Sequence, residues 1–408
     1  MFDVLEMRKK FPIYESHPDL VYLDTGATSL KPKCVLDKMN EYYTNYGVNI
    51  HRGVYNLSYQ ATDAYDIARS KVAEFLNSSF EEIVFKRNVS EALNFIALTY
   101  GENNLKAGDV VITSELEHHS SVLPWMKMCE KKGAILRYVP LNEEGRITVE
   151  NFKKVLDDKV KVVALTYVSN VLGYVTPIKE IIELSHQVNA KVVVDAAQAV
   201  AHFKVDVKEL DCDFLAFSAH KMMGPTGVGV LYGKKEILKK LSPLEYGGDM
   251  NDEVNLNSVT VKEIPYRFET GTPAIAEVLG LASAISFIEE LGYVNIEKHC
   301  HELGEYARKK LEEVKGITVY NKNADVDIIA FNINGVHPHD AATIFDEANV
   351  CLRAGHHCAQ LITKWLDVVG TLRGSFYIYN SLEDVDKFVE KVKECVKFFS
   401  QWTGEEYE

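Results

Sequence analysis

Between residues 83 and 233 short apolar runs alternate with amphipathic segments, and this alternation constrains the fold more than any other feature of the chain. The runs EEIVFK, DVVITS, AILRYVPL, VKVVALTYVSN, AKVVVDAAQ, DFLAFSAHK and GVGVLYG are rich in Val, Ile, Leu and Ala. Several are nearly continuous, as expected for strands covered on both faces. The intervening ITVENFKKVLDD and PIKEIIELSHQVNA read as crossover helices. Strands joined by helices predict an α/β fold with a mostly parallel sheet, and such sheets bind ligands at the carboxyl ends of their strands.

After FETGTPAIAEV the pattern changes to a long helix over about 274–315, short strands near 317–334 and further helix. In the last segment Val385, Phe388, Val389, Val392, Val396 and Phe399 recur at helical spacing. A chain of 408 residues exceeds the size at which a single core keeps growing, so two units are expected. We place the large one at residues 23–284 and a smaller α+β one at 1–22 with 285–408. The 47% of hydrophobic residues suffices for both cores and argues against disorder.

The 45 basic residues are outnumbered by 59 acidic ones and are scattered, which excludes the basic stripe of a nucleic-acid-binding protein. No apolar run approaches the ~20 residues that span a bilayer. The opening MFDVLEMRKKFPIYES lacks the apolar core of a secretory signal, so a cytoplasmic location is expected. Seven widely spaced cysteines without a CxxC pair read by default as inert thiols in a reducing compartment.

Six motifs carry chemistry. In VVVDAAQ (192–198), Asp195 follows an apolar strand, where burial raises a carboxylate's pKa unless a cation pairs with it. A protonated pyridine nitrogen serves, as does a helix cap or a buried lysine. In FSAHKMMGPTGVG (217–229), Lys221 lies between an apolar strand and a glycine-rich turn; desolvation there makes a lysine a Schiff-base amine. Alone it reads as a surface lysine, but one strand-helix-strand unit after Asp195 it belongs at a neighbouring strand end. In KRNVSEALNFIALTY (86–100), Asn88 and Glu91 mark a helix start with a free Ser90 hydroxyl, either an ordinary cap or a phosphate site.

In SELEHHSSVLPW, His118 is placed to lie against a planar ring and handle protons near neutral pH. A metal on the histidine pair is disfavoured, because adjacent side chains diverge in an extended segment. VCLRAGHHCAQ (350–360) packs Arg353, Gly355, His356, His357 and Cys358 into a short loop. Cations beside a thiol favour the reactive thiolate; an inert cysteine or a partial zinc site are the alternatives, the latter lacking a second ligand pair. In TLRGSFYIYN (371–380), Arg373 offers a bidentate site for a substrate carboxylate or a structural salt bridge.

In the order DxAQ, SAHKxxGPTGxGxLY, FExGTP, RAGHHCAQ and RxSFYIYN, these motifs resemble the class V branch of the fold-type I enzymes that use pyridoxal 5'-phosphate (PLP). Within it they resemble the Suf-type, or group II, cysteine desulfurases, over about Leu23 to Asn380; the compact RAGHHCA loop is the most specific part. The resemblance implies L-cysteine as substrate, PLP held on Lys221 and sulfur received on Cys358. It makes Asp195 the partner of the pyridine nitrogen, Gln198 a partner of the phenolic oxygen, and His118 the stacking residue. Ser90, Ser218, His220 and the backbone of Val89 would hold the phosphate, joined by Thr272 of a second subunit, so a homodimer is implied. Asn170 and Arg373 would bind the substrate carboxylate, with His51 and Arg353 nearby. A sulfur-acceptor or iron–sulfur scaffold protein would be the further partner.

The chain departs from the family where Val89 replaces a common threonine, where Ala196 replaces a frequent glycine, and where Gln360, Leu361 and Ile362 follow the cysteine without the usual proline. Selenocysteine lyase, cysteine sulfinate desulfinase and aminotransferase are alternatives on the same scaffold. A non-catalytic sulfur carrier is the alternative of another class.

Overall fold

A computed structural model of the chain describes residues 2–403. Its central sheet runs, edge to edge, Ile83–Lys86, Gly229–Gly233, Phe214–Ser218, Lys191–Asp195, Val160–Thr166, Val110–Ser114 and Ile135–Val139. Every neighbouring pair is parallel except those made by Gly229–Gly233, which runs against both its neighbours. All seven sequence-predicted strands are present. The longest, predicted to reach Asn170, ends at Thr166, and an isolated Val168–Val175 bridge turns the chain.

The two-residue period of the strands explains their nearly unbroken hydrophobicity. Val163, Leu165, Val192, Val194, Leu215 and Phe217 face one buried core, shared with the helices Asn56–Leu76, Ile178–Gln187 and Ile275–Leu291. Their alternating neighbours Val162, Ala164, Val193, Phe214 and Ala216 face another, under Val89–Ile96 and His119–Lys132. With both faces covered, neither set can be polar, and in the inner strands the polar groups lie at or near the ends.

The predicted 274–315 helix is two helices, Ile275–Leu291 and Tyr293–Glu312. Gly292 separates them at φ 77°, a conformation open to glycine and costly for other residues. The first helix runs unbroken through residue 284 and packs on the large sheet's core; the second joins a separate core with the final helix Leu382–Thr403. Around that core the strands Ile317–Val319, Ile328–Ile333, Thr371–Ser375 and Arg353–Gly355 form an antiparallel sheet. Phe388 of the last helix meets Phe331 edge-on at 5.6 Å, and Val21 and Leu23 reach into the same core. A surface hairpin, Asn251–Asn255 with Ser258–Val261, was not anticipated from sequence. Among the described residues no helix is long and apolar enough to cross a membrane.

One buried ion pair ties the FETGTP segment to the sheet. Glu269 receives Arg69 Nη1 and Nη2 at 2.7 and 2.6 Å and the amide of Phe85 at 2.7 Å, and Arg69 is fully buried. Removing one partner strands the other's charge in a low-dielectric setting. Arg69→Met should therefore lower unfolding free energy by roughly 3–5 kcal/mol in urea titration; a change under about 1 kcal/mol, the level of a surface pair, would contradict this role.

Candidate active site

The site lies at the carboxyl ends of the central parallel strands. Asp195 closes Lys191–Asp195, and one strand over Phe214–Ser218 leads into the turn Ala219–Lys221. Asp195 is buried, and its Oδ1 accepts the Ala197 amide at 3.0 Å. Burial raises its pKa, opposed by that amide and by the Lys221 charge. Burial pulls Lys221 down to about 8, with Asp195 holding it up and Arg373 and Arg353 adding to the fall. A substantial fraction of free amine is thus available near neutral pH, as nucleophilic lysines require.

Two strands from Asp195, beyond Val160–Thr166, Val110–Ser114 runs into the turn that presents His118, the cap of His119–Lys132. His118 Nδ1 accepts the Ser120 amide at 3.1 Å, which places the proton of the neutral ring on Nε2. Burial pulls its pKa down to about 3, with Lys221 lowering it further, so the ring is neutral at working pH. His119 is engaged elsewhere: its Nε2 accepts the Gln360 amide at 3.1 Å and its own amide donates to the Cys358 carbonyl at 2.7 Å.

A hydroxyl cluster gathers at the start of Val89–Ile96. The Asn88 side chain caps the helix through the Glu91 amide, as its spacing predicts; the Glu91 carboxylate returns to the Arg87 amide, one residue before the expected partner. Ser90 Oγ and Ser120 Oγ are 2.6 Å apart, and Ser218 Oγ accepts the Val89 amide at 2.8 Å. The Val89 amide is therefore already engaged within the chain. His220 is half-buried, its imidazole pulled down to about 4 by burial and by Lys221; its carbonyl accepts Ser29 N, Ser29 Oγ and Thr28 Oγ1. Gln198 Nε2 donates to the Gly26 carbonyl at 2.8 Å.

The small unit brings the thiol. Arg353–Gly355 pairs with Thr371–Ser375, and the chain leaves Gly355 into a tight loop with His357 and Cys358 at φ 53° and 55°. Non-glycine residues in this region persist where surrounding bonds hold them. Here His357 Nε2 meets Thr371 Oγ1 at 2.8 Å, Asn170 Nδ2 donates to the His357 carbonyl at 2.8 Å, and Cys358 O receives the His119 amide. Gln360–Trp365 starts directly afterwards as a helix, so no proline is needed to end the loop. Cys358 is exposed at its tip, whereas Cys129, Cys212, Cys300 and Cys395 are buried.

Arg373 is 2% exposed; its Nη1 donates to the Asn170 carbonyl at 2.9 Å, its Nη2 to Asp24 at 3.0 Å, and its Nε is buried without a partner. Of the two sequence readings of this arginine, the salt bridge is present, with Asp24. The chain brings together Lys221, Asp195, His118, Arg373, Arg353, Asn170 and Cys358. It does not bring His51 or Thr272 to them. His51 contacts Tyr65 and Tyr266 edge-on, and its charged neighbours are Asp66, Lys262, Asp249 and Glu269. Exposed Thr272 lines a cavity of about 410 Å³ beside Glu269 and Tyr65.

Three residues escaped the sequence reading. Asp24, in the polar LDTGATS that follows an apolar pair, holds both arginines. Ser120 was hidden behind the histidine pair. Glu117, directly before His118, is fully buried with Oε1 accepting from Ser114 Oγ at 2.7 Å and Oε2 unpartnered. Burial pushes Glu117 up to about 8, with Asp195 raising it further. The folded state therefore holds a proton that an unfolded glutamate loses near pH 4.3, and its stabilising effect is lost as pH rises through about 8. Glu117→Gln should flatten the fall in melting temperature of the cofactor-free protein between pH 5 and 8; an unchanged slope would contradict a protonated Glu117.

Sequence and structure comparisons agree on kinship. The family described as Aminotransferase class-V matches residues 21–388. A probable cysteine desulfurase of Halalkalibacterium halodurans is 49% identical, covering 95% of this chain and 98% of its own. The apo structure of a cysteine desulfurase from Thermococcus onnurineus NA1 superposes with a TM-score of 0.93 at 40% identity, covering 98% of this chain and 99% of that one. A cysteine desulfurase of Escherichia coli, CsdA, gives 0.91 at 36% identity over the same shares. Together with strand ends that gather a lysine, a carboxylate and a loop thiol, these matches establish that the chain belongs to the class V aminotransferase family, among the cysteine desulfurases.

Proposed function

We propose that this chain is a PLP-dependent cysteine desulfurase of the group II kind, converting L-cysteine to L-alanine and taking the sulfur onto Cys358. The observation that carries the reading is convergence: Lys221, Asp195, neutral His118, buried Arg373 and exposed Cys358 meet from two units of the fold. In this division of labour the large unit, residues 23–284, serves the cofactor, and residues 1–22 with 285–408 carry the thiol loop.

The donor set suits the cofactor. Asp195 has one carboxylate oxygen held by Ala197 and otherwise faces Lys221, which fits a protonated ring nitrogen. The hydroxyls of Ser90 and Ser120 at a helix start fit a phosphate. When bound, PLP supplies an electron sink for negative charge at the substrate Cα. Asp195 would keep the ring nitrogen protonated, Gln198 would serve the phenolic oxygen and His118 the ring face. Ser90, Ser218, His220 and the Val89 amide would hold the phosphate, which requires Ser218 to share or release that amide.

Arg373 and Asn170 fix the substrate carboxylate, with Arg353 close by. Lys221 Nζ would take and return the Cα proton, and His118 would donate at Nε2. The Cys358 thiolate attacks the substrate sulfur: the S–S bond forms, the Cβ–S bond breaks, and its electron pair stays with the substrate carbon until a proton completes alanine. The balance is cysteine plus thiol giving alanine plus persulfide. Thr272 and His51, set apart from the other residues of this chain, belong in this reading to a second subunit's site in a cytoplasmic homodimer. The exposed loop is where a sulfur-acceptor or iron–sulfur scaffold protein collects the product.

Purified protein should be yellow, and borohydride should fix the cofactor on the peptide containing Lys221; a label elsewhere would overturn that assignment. Cys358→Ala leaves Lys221, Asp195 and His118 intact, so it should stay yellow while alanine release from cysteine falls by at least about hundredfold, the scale of losing a nucleophile. Alanine release at the wild-type rate would mean direct elimination without a thiol acceptor.

A further inference from the structure

Glu117 takes no part in the chemistry assigned to the site, yet it is fully buried directly before His118. Its strand, Val110–Ser114, ends three residues earlier, and side chains close the connection. Ser114 Oγ accepts the Leu116 amide at 3.2 Å and donates to Glu117 Oε1 at 2.7 Å, so the carboxyl folds back onto the strand end. Close by stand the Thr166 amide, at the end of Val160–Thr166, and the Ser121 hydroxyl, in the first turn of His119–Lys132. Three elements therefore meet at one carboxyl.

His118 is held from the helix side as well. Its Nδ1 accepts the Ser120 amide at 3.1 Å and its carbonyl accepts the Ser121 amide at 2.9 Å. Its own backbone is extended, at φ −59° and ψ 148°, so its side chain diverges from that of Glu117. With Glu117 turned inward, His118 is turned toward Lys221 and Arg373, whose charges act on it. The helix bonds fix the ring relative to the helix; Glu117 ties it to the strand end. A carboxylate ion buried with one oxygen unpartnered is costly, so the group that makes this tie is the neutral acid, which adds no second negative charge beside Asp195.

We propose that Glu117 is a positioning residue, a neutral carboxyl that locks the turn after Val110–Ser114 and so holds the His118 ring on the side of Lys221. The placement stands on the chain's own bonds; what the ring does there, on the cofactor face and as a donor at Nε2, rests on the desulfurase reading. Glutamine has the same length and keeps an oxygen for Ser114 without a charge. Methionine fills a similar space but makes no such bond, so the first substitution should preserve the turn and the second should release it.

The test is NMR of ring-labelled histidine in the full chain, titrated with acid, in wild type, Glu117→Gln and Glu117→Met. Burial and the charges that face the ring, Lys221, His119 and Arg373, all oppose its protonation. In wild type and Glu117→Gln, His118 should therefore stay neutral where an ordinary imidazole charges, at about pH 6.5. In Glu117→Met it should charge within about one pH unit of that value, because a ring released from its seat regains water. Alanine release from cysteine should fall about hundredfold in Glu117→Met, the scale of a reacting group misplaced by about 1 Å, and should fall no further when Glu117→Met is added to His118→Ala. A His118 ring that stays neutral in Glu117→Met, a Glu117→Gln variant that behaves like it, or additive losses in the double variant would overturn the proposal. Ser114→Ala removes the same bond from the other side and serves if Glu117→Met does not fold. Absence of cysteine turnover by the wild type would remove the desulfurase reading, while the histidine titration still decides the role of Glu117.

Discussion

The structure depends on placing a buried carboxylate and a buried amine at the ends of adjacent parallel strands. Asp195 and Lys221 each lose solvation there, and each shifts the other back toward its charged form. Such an arrangement is tolerable only in a rigid setting that excludes water and keeps the groups from escaping to solvent. The doubly covered sheet supplies that setting, because its strands are apolar on both faces and its polar groups have nowhere to go but the ends. The same burial keeps His118 neutral and Glu117 protonated, so one desolvated corner sets the state of four titratable groups.

A second constraint is that the sheet does not carry the thiol. The small unit supplies Cys358 and the arginines, and residues near the N-terminus lock the two parts together. Asp24 binds the arginines, the Gly26 carbonyl takes Gln198, and Thr28 and Ser29 bond the carbonyl of His220, next to Lys221. The loop of Cys358 in turn reaches back to the large unit through His119 and Asn170. The reacting groups are thus positioned by bonds that cross between units, which explains how a loop in a left-handed conformation keeps one geometry.

The sheet was legible in the sequence because strands covered twice leave long apolar runs, and the Asp195 and Lys221 positions followed from where those runs stop. The break at Gly292 was not, since the apolar pattern continues across it and a glycine inside a helical pattern is an ambiguous signal. Asp24 and Glu117 were missed for a different reason. Their importance comes from partners hundreds of residues away or from burial by distant helices, and an isolated acidic residue carries no local mark of either. The hairpin at Asn251–Val261 escaped because both its faces are exposed, leaving no run of buried residues to read. His51, expected near the substrate carboxylate, instead packs against Tyr65 and Tyr266, and no local feature of its segment marks that placement.

In the proposed reaction, sulfur leaves cysteine by bonding to one thiol of this protein. This step is tested most directly by giving the cofactor-loaded protein L-cysteine labelled with heavy sulfur, without reductant, then alkylating, digesting and weighing the cysteine peptides. One additional labelled sulfur is expected on the peptide that contains Cys358, and none on those containing the other six cysteines. Labelled sulfide in solution with an unmodified Cys358 peptide, while alanine accumulates, would contradict it.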